Sequence, residues 1–347
     1  MLNDFAFLLP VALFALTAFA LSGGLTALLR GILLKRQMLD LPNERSLHTV
    51  PVPRGGGLAV MAVVAVGTAL LAFFPPISTP LVLIILALLL LVLVSWFDDR
   101  KGLGAGLRLI AHLLAASIGC LAFTPEQTLF GGHLPLALDR AVMILGWAWF
   151  MNLYNFMDGI NGITGTETIS IMAGVALLTS LLPSSDPNTL ILCGLIAGAC
   201  GGFLLLNWHP AKIFLGDVGS IPLGFLTGYL LLTLATANQL AAALCVALYY
   251  LADSGLTITK RLLRGEKIWQ AHRQHFYQRA AQAIGRHDKI VLWIMLANLA
   301  LIDAALVAMI SPLLGLGLAV IVVALLLGAM QRAARPPRTA SAAPEVP

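Results

Sequence analysis

The sequence predicts an all-α polytopic membrane protein of about eleven transmembrane helices, and three observations carry that expectation. The chain is 59% hydrophobic and 11% charged over 347 residues, where an average soluble domain is about 25% charged. Eleven apolar stretches can be marked, at 5–29, 57–74, 80–96, 107–123, 139–155, 164–183, 190–206, 221–236, 240–258, 289–310 and 312–330. Most reach the ~17–25 residues that cross a bilayer core, the fifth and eighth being short. Threading the chain alternately through them brings every Lys and Arg except Arg140 to or near one face. The positive-inside rule names that face cytoplasmic, with the N-terminus outside and the C-terminus inside.

Taken in order, the first stretch has a signal-peptide look, since Ala18-Phe19-Ala20 resembles a cleavage site. Asp4 stands where a positive n-region belongs, however, and Arg30, Lys35 and Arg36 follow the apolar run. It reads as a retained first helix. The outer connections at 75–79, 184–188, 236–239 and Ser311 are short. The connection at 124–138 is longer, and its Gly131-Gly132 predicts a turn or small hairpin. The inner connections at 35–56, 97–106, 156–163, 207–220 and 259–288 hold the polar motifs, so an active site is expected from the cytoplasmic loops. With no long soluble insert, residues 1–330 form one membrane domain. Residues 331–347, rich in Pro, Ala, Arg and Ser, are expected to be a disordered cytoplasmic tail.

Composition also excludes. The net charge of +5 follows helix ends, where basic residues meet anionic headgroups; it does not gather into a basic domain, so no nucleic-acid partner is expected. Cys120, Cys193, Cys200 and Cys245 lie inside apolar stretches without C-x-x-C spacing, which argues against a disulfide framework or a thiolate metal site. No inverted repeat of the kind found in secondary transporters is present.

Five constellations could carry chemistry. Asp98-Asp99 ends the third stretch beside Arg100 and Lys101. Adjacent carboxylates repel unless a cation holds both ionised, and a hard divalent ion takes such oxygen ligands together with water and phosphate. The alternative is a solvated helix end. Asn152 and Asn155 are three apart on an otherwise apolar helix and so share a face. Amides at that depth face a cavity or the bundle interior, or serve as glue between helices. Asp158-Gly159 and Asn161-Gly162 then make a polar turn that can offer backbone N–H groups to a ligand. In Phe214-Leu215-Gly216-Asp217-Val218-Gly219-Ser220, two glycines bracket an acid and permit close backbone approach to a metal–diphosphate; a helix cap through Ser220 is the plainer reading.

His272-Arg273-Gln274-His275-Phe276-Tyr277-Gln278-Arg279 places two histidines three apart, as on one helix face. No third ligand completes a zinc site, and the arginines suit phosphate oxygens. An amphipathic surface helix with Trp269, Phe276 and Tyr277 at the headgroups is the plainer alternative, and the two readings are compatible. The first inner loop runs from Asp40 through Asn43, Arg45, Ser46 and His48 to Pro53-Arg54-Gly55-Gly56-Gly57. Its glycines either cradle a phosphate or mark a flexible loop. His112 reads as a packed histidine, and the role of Asp253 in the ninth stretch stays open.

Together these motifs resemble the polyprenyl-phosphate N-acetylhexosamine-1-phosphate transferase family. The carriers are D-x-P-N-x-R-S-x-H at 40–48, P-R-G-G-G at 53–57, Asp98-Asp99, N-x-x-N-x-x-D-G-x-N-G at 152–162, F-L-G-D-V-G-S at 214–220 and H-R-Q-H-F-Y-Q-R at 272–279. The last differs from the three adjacent histidines of the muramoyl-pentapeptide branch and looks more like the branch that starts O-antigen and related glycans. The resemblance implies that UDP-HexNAc and undecaprenyl phosphate yield undecaprenyl-diphospho-HexNAc and UMP, with Mg²⁺ as cofactor and Mn²⁺ as a substitute. It implies a multi-pass protein of the bacterial inner membrane, with the bilayer and a second copy in a homodimer among its partners. Asp217, helped by Asn155, would hold the metal, and Asp98 and Asp99 would be catalytic at the acceptor phosphate. Asp158, Phe214 and Asn161 would hold the nucleoside, and His272, Arg273 and His275 the diphosphate and sugar. Asn152, His48 and Arg54 complete the implied substrate site. A transporter for a lipid-linked solute is the rival class, expected to place polar residues near the bilayer midplane.

The one-sided charge distribution is tested by thiol labelling in intact cells. A cysteine within 124–138 should react with an impermeant reagent and one within 260–286 should not; the reverse pattern would sink the assignment.

Overall fold

The computed structural model describes residues 8–42, 50–74, 76–183, 185–267 and 272–335. His48, with Asn43 and Arg45, lies outside the described residues, as do Trp269 and the tail from 336 onward. The described chain is helical almost throughout: α1 Leu8–Lys35, α2 Gly57–Phe73, α3 Thr79–Lys101, α4 Ala105–Cys120, α5 Leu136–Phe156, α6 Ile163–Ser180, α7 Pro187–Asn207, α8 Asp217–Leu234, α9 Leu240–Leu263, α10 Phe276–Ile284, α11 His287–Ile310 and α12 Pro312–Ala333. Two short strands, β1 (Leu39–Asp40) and β2 (Val52–Pro53), pair antiparallel in the first inner loop.

Eight segments are long and apolar enough to cross a membrane, with α2 and α4 as shorter apolar helices. One of the eight joins α8 to α9 through a π-helical turn at Ala235–Gln239, where Asn238 takes φ 62°. That left-handed residue reverses the chain, so each of the eleven expected spans is a helix of its own. Their lengths differ from expectation. The fifth and eighth spans are full helices of 21 and 18 residues, and the short ones are α2 with 17 and α4 with 16. The eighth lengthens because the motif residues Asp217–Ser220 form its first turn rather than a loop before it.

The outer connection 124–138 contains turns and no strand among its described residues, so the small hairpin is not formed. Side chains organise it instead. The Asp139 carboxylate accepts from the backbone N–H groups of Leu129 and Phe130 at 3.1 and 3.2 Å. Arg140 donates to the carbonyls of Gln127 and Thr124. Arg140 is thus occupied by its own loop.

Small residues and aromatics set the packing. Gly194, Gly198 and Gly202 on α7 recur every four residues and lie against Val11, Ala15 and Phe19 on α1. A methyl group at Gly198 or Gly202 would collide with the carbonyl oxygens of Ala15 or Phe19. Small residues at this spacing let backbones touch, the usual way helices associate where lipid supplies no hydrophobic drive. Deeper in, the Trp147 ring on α5 stacks on Phe225 of α8 with centroids 4.7 Å apart, and its indole N–H donates to the Phe225 carbonyl at 2.9 Å. That joint fixes the two helices whose inner ends carry the Asn155–Asp158 and Asp217 motifs. Glu167 on α6, fully buried, accepts from the Asn298 amide of α11 at 2.7 Å; nothing in the sequence pattern marks it out.

Gly198→Ala should lower the thermal unfolding temperature in detergent, by roughly 1–3 kcal/mol of overpacking. Gly146→Ala, with open space around the new methyl, is the control and should be neutral or stabilising. Equal midpoints for the two variants would refute the α1–α7 contact.

Candidate active site

Three motifs distant in sequence meet at one end of the bundle. Asp99, in the last turn of α3, accepts from the backbone N–H of Asp217 at 3.1 Å and of Val218 at 2.9 Å. It therefore caps α8 from outside, satisfying donors that a helix start leaves orphaned. Gly216, at φ 78°, makes this approach feasible, since a Cβ there would lie 2.8 Å from the Asp99 carboxylate. One guanidinium nitrogen of Arg54 lies 2.9 Å from Asp99 and 2.6 Å from Asp217. Asp98 accepts from the Leu103 N–H at 2.6 Å and pairs with Arg108 at 3.3 Å, while its carboxyl also lies within hydrogen-bonding reach of Asp217.

The glycine run 55–57 plays neither role expected of it. Its N–H groups are spent on the loop before α8, Gly55 and Gly56 donating to the Phe214 carbonyl and Gly57 to that of Leu215. The Phe214 N–H returns a bond to Pro53 at 2.8 Å. A side chain at Gly56 would strike Phe203 and one at Gly57 the backbone of Gly219. The glycines are present for backbone contact, which sets Arg54 beside Asp217.

Asn155 accepts from the Ser220 hydroxyl of α8 at 2.8 Å, which places it one turn from Asp217. Asn152 points to a different neighbour, donating to the Ala148 carbonyl and contacting His112 Nδ1 of α4 at 2.9 Å. His112 is thereby explained as its buried partner. Asp158 lies close enough to Asp217, Arg54 and Asp99 to feel their charges. Burial of its carboxyl, opposed by a Thr164 hydrogen bond and reinforced by Asp217, pushes its pKa up to about 6. Asn161 is drawn aside: its N–H donates to His287 at 3.2 Å and its amide contacts His209 at 3.1 Å.

The last motif is arranged differently from the helix face its spacing suggested. His275 is the cap residue before α10, and His272–Gln274 belong to the preceding loop. The two imidazoles still stack, at 4.9 Å, through the turn. Asp253, fully buried on α9, holds the assembly together, accepting from the N–H groups of Phe276 and Tyr277 at 3.1 and 3.2 Å and contacting His275 Nδ1 at 3.1 Å. Sequence reasoning left Asp253 open because its donors lie more than twenty residues away. Burial, with His275 and Arg261 nearby, pulls the His272 pKa down to about 4, so the ring is uncharged at pH 7. Arg273 is half-buried and makes no ion pair among the described residues. The Tyr277 hydroxyl donates to the Phe156 carbonyl at 3.0 Å, and Gly159 leaves room for it and for the Gln278 amide. This links α10 to the Asp158 turn.

The donor set is oxygen-rich and short of cations. Among the described residues, Asp98, Asp99, Asp158 and Asp217 have Arg54 and Arg108 as their ion-pair or charge partners, and Arg54 also feels Asp40. Two negative charges are left when all four are ionised, which fits one hard divalent cation bound with water and phosphate. No ready-made cage of three or more His, Cys, Asp or Glu side chains exists among the described residues. A cavity of about 330 Å³ opens beside this centre, lined by Asp40, Arg54, Trp96, Asp99 and Arg100 among others.

If Asp99 caps α8 as described, Asp99→Ala should speed amide hydrogen exchange at Asp217 and Val218, with a loss of about 0.5–2 kcal/mol. Unchanged protection of the 214–222 segment would rule the cap out.

Residues 81–235 match the glycosyl transferase family 4 model, a segment that includes Asp98-Asp99, the 152–162 motif and the Asp217 motif. The chain is 29% identical over 82% of its length to the decaprenyl-phosphate N-acetylglucosaminephosphotransferase of Mycolicibacterium smegmatis, covering 79% of that protein. It is 26% identical to a probable undecaprenyl-phosphate N-acetylglucosaminyl 1-phosphate transferase of Bacillus subtilis, over 74% of this chain and 73% of that one. A phospho-N-acetylmuramoyl-pentapeptide-transferase of Picosynechococcus is 30% identical over 62% of each chain. Residues 81–235, which carry Asp98, Asp99, Asp158 and Asp217, are thus similar to glycosyl transferase family 4, and the two N-acetylglucosamine-phosphate transferases named match more of the chain than the Picosynechococcus enzyme does.

Proposed function

We propose that the protein transfers HexNAc-1-phosphate from a UDP-HexNAc donor to undecaprenyl phosphate, giving undecaprenyl-diphospho-HexNAc and UMP. The reaction would begin O-antigen or related surface-polysaccharide synthesis at the cytoplasmic face of a bacterial inner membrane. The observation that carries this reading is the convergence of Asp98, Asp99, Asp158 and Asp217 around Arg54, at the bundle end where the basic residues gather. The relatives' names point to N-acetylglucosamine as the sugar.

An acceptor phosphate oxygen attacks the sugar-linked phosphorus, and the bond to UMP breaks. Asp217 and Asn155 are the residues that would hold Mg²⁺, or Mn²⁺ in its place. When bound, the ion supplies charge neutralisation of crowded phosphate oxygens. Arg54 already bridges two carboxylates and has further N–H donors to turn toward a diphosphate. The acceptor monoester is mostly dianionic at neutral pH, its second pKa being about 6. Asp98, steered by Arg108 and the Leu103 N–H, thus has an orienting task more than a proton to remove. Asp158, largely ionised at pH 7, suits acceptance of a uracil N–H beside Phe214. His272, uncharged, meets the donor as a hydrogen-bonding ring, while Arg273 brings the positive charge. Positioning and electrostatics supply most of the acceleration in phosphoryl transfer.

Purified protein with Mg²⁺, undecaprenyl phosphate and a panel of UDP-HexNAc donors should release UMP, and chelation of divalent ions should stop it. Asp217→Asn should raise the Mg²⁺ needed for half-activity. Asp98→Asn should keep donor binding by calorimetry but cut turnover ~10²-fold or more. No UMP from any donor would refute the reaction; near-normal turnover in Asp98→Asn would make that residue a mere helix-end carboxylate.

A further inference from the structure

A second charged cavity, of about 330 Å³, lies where the C-terminal end of α9 meets the start of α10, lined by Thr257, Lys260, Arg264, Gln274, Phe276 and Arg279. Among the described residues it shares no lining residue with the acidic centre, and no carboxylate lines it. Thr257, Lys260 and Arg264 follow one another at helical spacing on α9, so one face presents both cations. Phe276 and Arg279 supply the opposing wall. Glu266, held by Arg261 at 2.8 Å, pairs with Arg264 at 4.0 Å, and Asp253 behind the cavity is occupied by the Phe276 and Tyr277 N–H groups and His275. The Lys260 ammonium lies 4.4 Å from the centre of the Phe276 ring. Three cations thus surround one space, with Glu266, itself shared with Arg261, as the counter-charge at its edge.

The surroundings indicate what fills it. Leu256, Leu262 and Leu263, on the same last turns of α9, are 46%, 62% and 82% exposed. Apolar residues so exposed at the end of a membrane-spanning helix belong in lipid, so the cations sit at the headgroup level. The wall formed by Phe276 and Arg279 is also the back of α10. The opposite side carries Tyr277 and Gln278, which reach toward Gly159 and Phe156. We propose that this cavity binds the phosphate of an anionic phospholipid headgroup and thereby braces α10 against α9 from the lipid side. The shared chemistry is a phosphate oxygen among ammonium and guanidinium donors; the adjoining leucines favour a lipid source over a free anion.

The test is independent of transferase activity. Full-length protein is placed in nanodiscs of phosphatidylcholine with or without phosphatidylglycerol, and lipid retention is read by native mass spectrometry. Hydrogen exchange over residues 276–284 is measured in parallel. Phosphatidylglycerol should be retained and should slow that exchange. The variant Lys260→Gln/Arg264→Gln/Arg279→Gln should lose retention by roughly fivefold for each cation removed, while Lys260→Arg/Arg264→Lys/Arg279→Lys should retain it. Equal retention by wild type and the neutral variant would overturn the proposal, as would loss in both variants, because charge would not then decide binding. Displacement of phosphatidylglycerol by excess inorganic phosphate would mean a soluble-anion site, and displacement by undecaprenyl phosphate alone would make the cavity part of the acceptor path; either result overturns the phospholipid assignment.

Discussion

The site depends on the carboxylate of Asp99 sitting at the N-terminus of α8. Its two oxygens accept the N–H groups of Asp217 and Val218, and its charge complements the positive end of the helix dipole. Through that contact the end of α3 determines where α8 begins. Arg54 closes the joint by bridging Asp99 and Asp217, and the backbone bonds between 53–57 and 214–215 hold Arg54 in reach. Removing the Asp99 charge would leave both a helix start without its acceptor and a guanidinium with one partner fewer.

The same device appears a second time. Asp253 of α9 caps α10 through Phe276 and Tyr277 and holds His275 as well. Two helices that carry site motifs are thus capped by an aspartate from another helix, in α10 alongside its own His275–Gln278 capping box. A helix start packed inside a bundle cannot satisfy its N–H groups with water, and an unsatisfied backbone group away from water is costly. A carboxylate donated from a neighbour removes that cost. It also fixes the two helices relative to each other, which a local Ser or Thr cap cannot do.

The apolar bundle positions these joints. Glycines at four-residue spacing bring α1 and α7 into backbone contact, and the Trp147–Phe225 stack ties α5 to α8. The polar turn after α5 and the acidic start of α8 therefore arrive together, without long loops to order. The charge is segregated in the same way: Arg140 is absorbed by its own loop, and the ion pairs of the acidic centre all involve residues of the inner connections and the helix ends beside them.

The sequence by itself determined the helical class, the eleven apolar helices and the bundle end at which the polar motifs stand, because hydrophobic length and basic-residue placement are local properties of the chain. It also named Asp98, Asp99, Asp158, Asp217, Arg54 and Asn155, which the fold brings into one neighbourhood. Tertiary structure decided how each is used. Asp98 and Asp99 are adjacent in the chain, yet Asp99 takes the backbone N–H groups of α8 while Asp98 pairs with Arg108 and meets only the Asp217 side chain, since successive positions on a helix differ by about 100°. Asp253 and His112 acquired partners only through packing, Asp253 from α10 and its cap residue and His112 from Asn152. The glycines of 55–57 proved to be surfaces for another backbone, and the His272–His275 pair a loop stacked on a helix cap. Each of these depends on a neighbour supplied by a distant part of the chain, and no spacing along one segment records who that neighbour is.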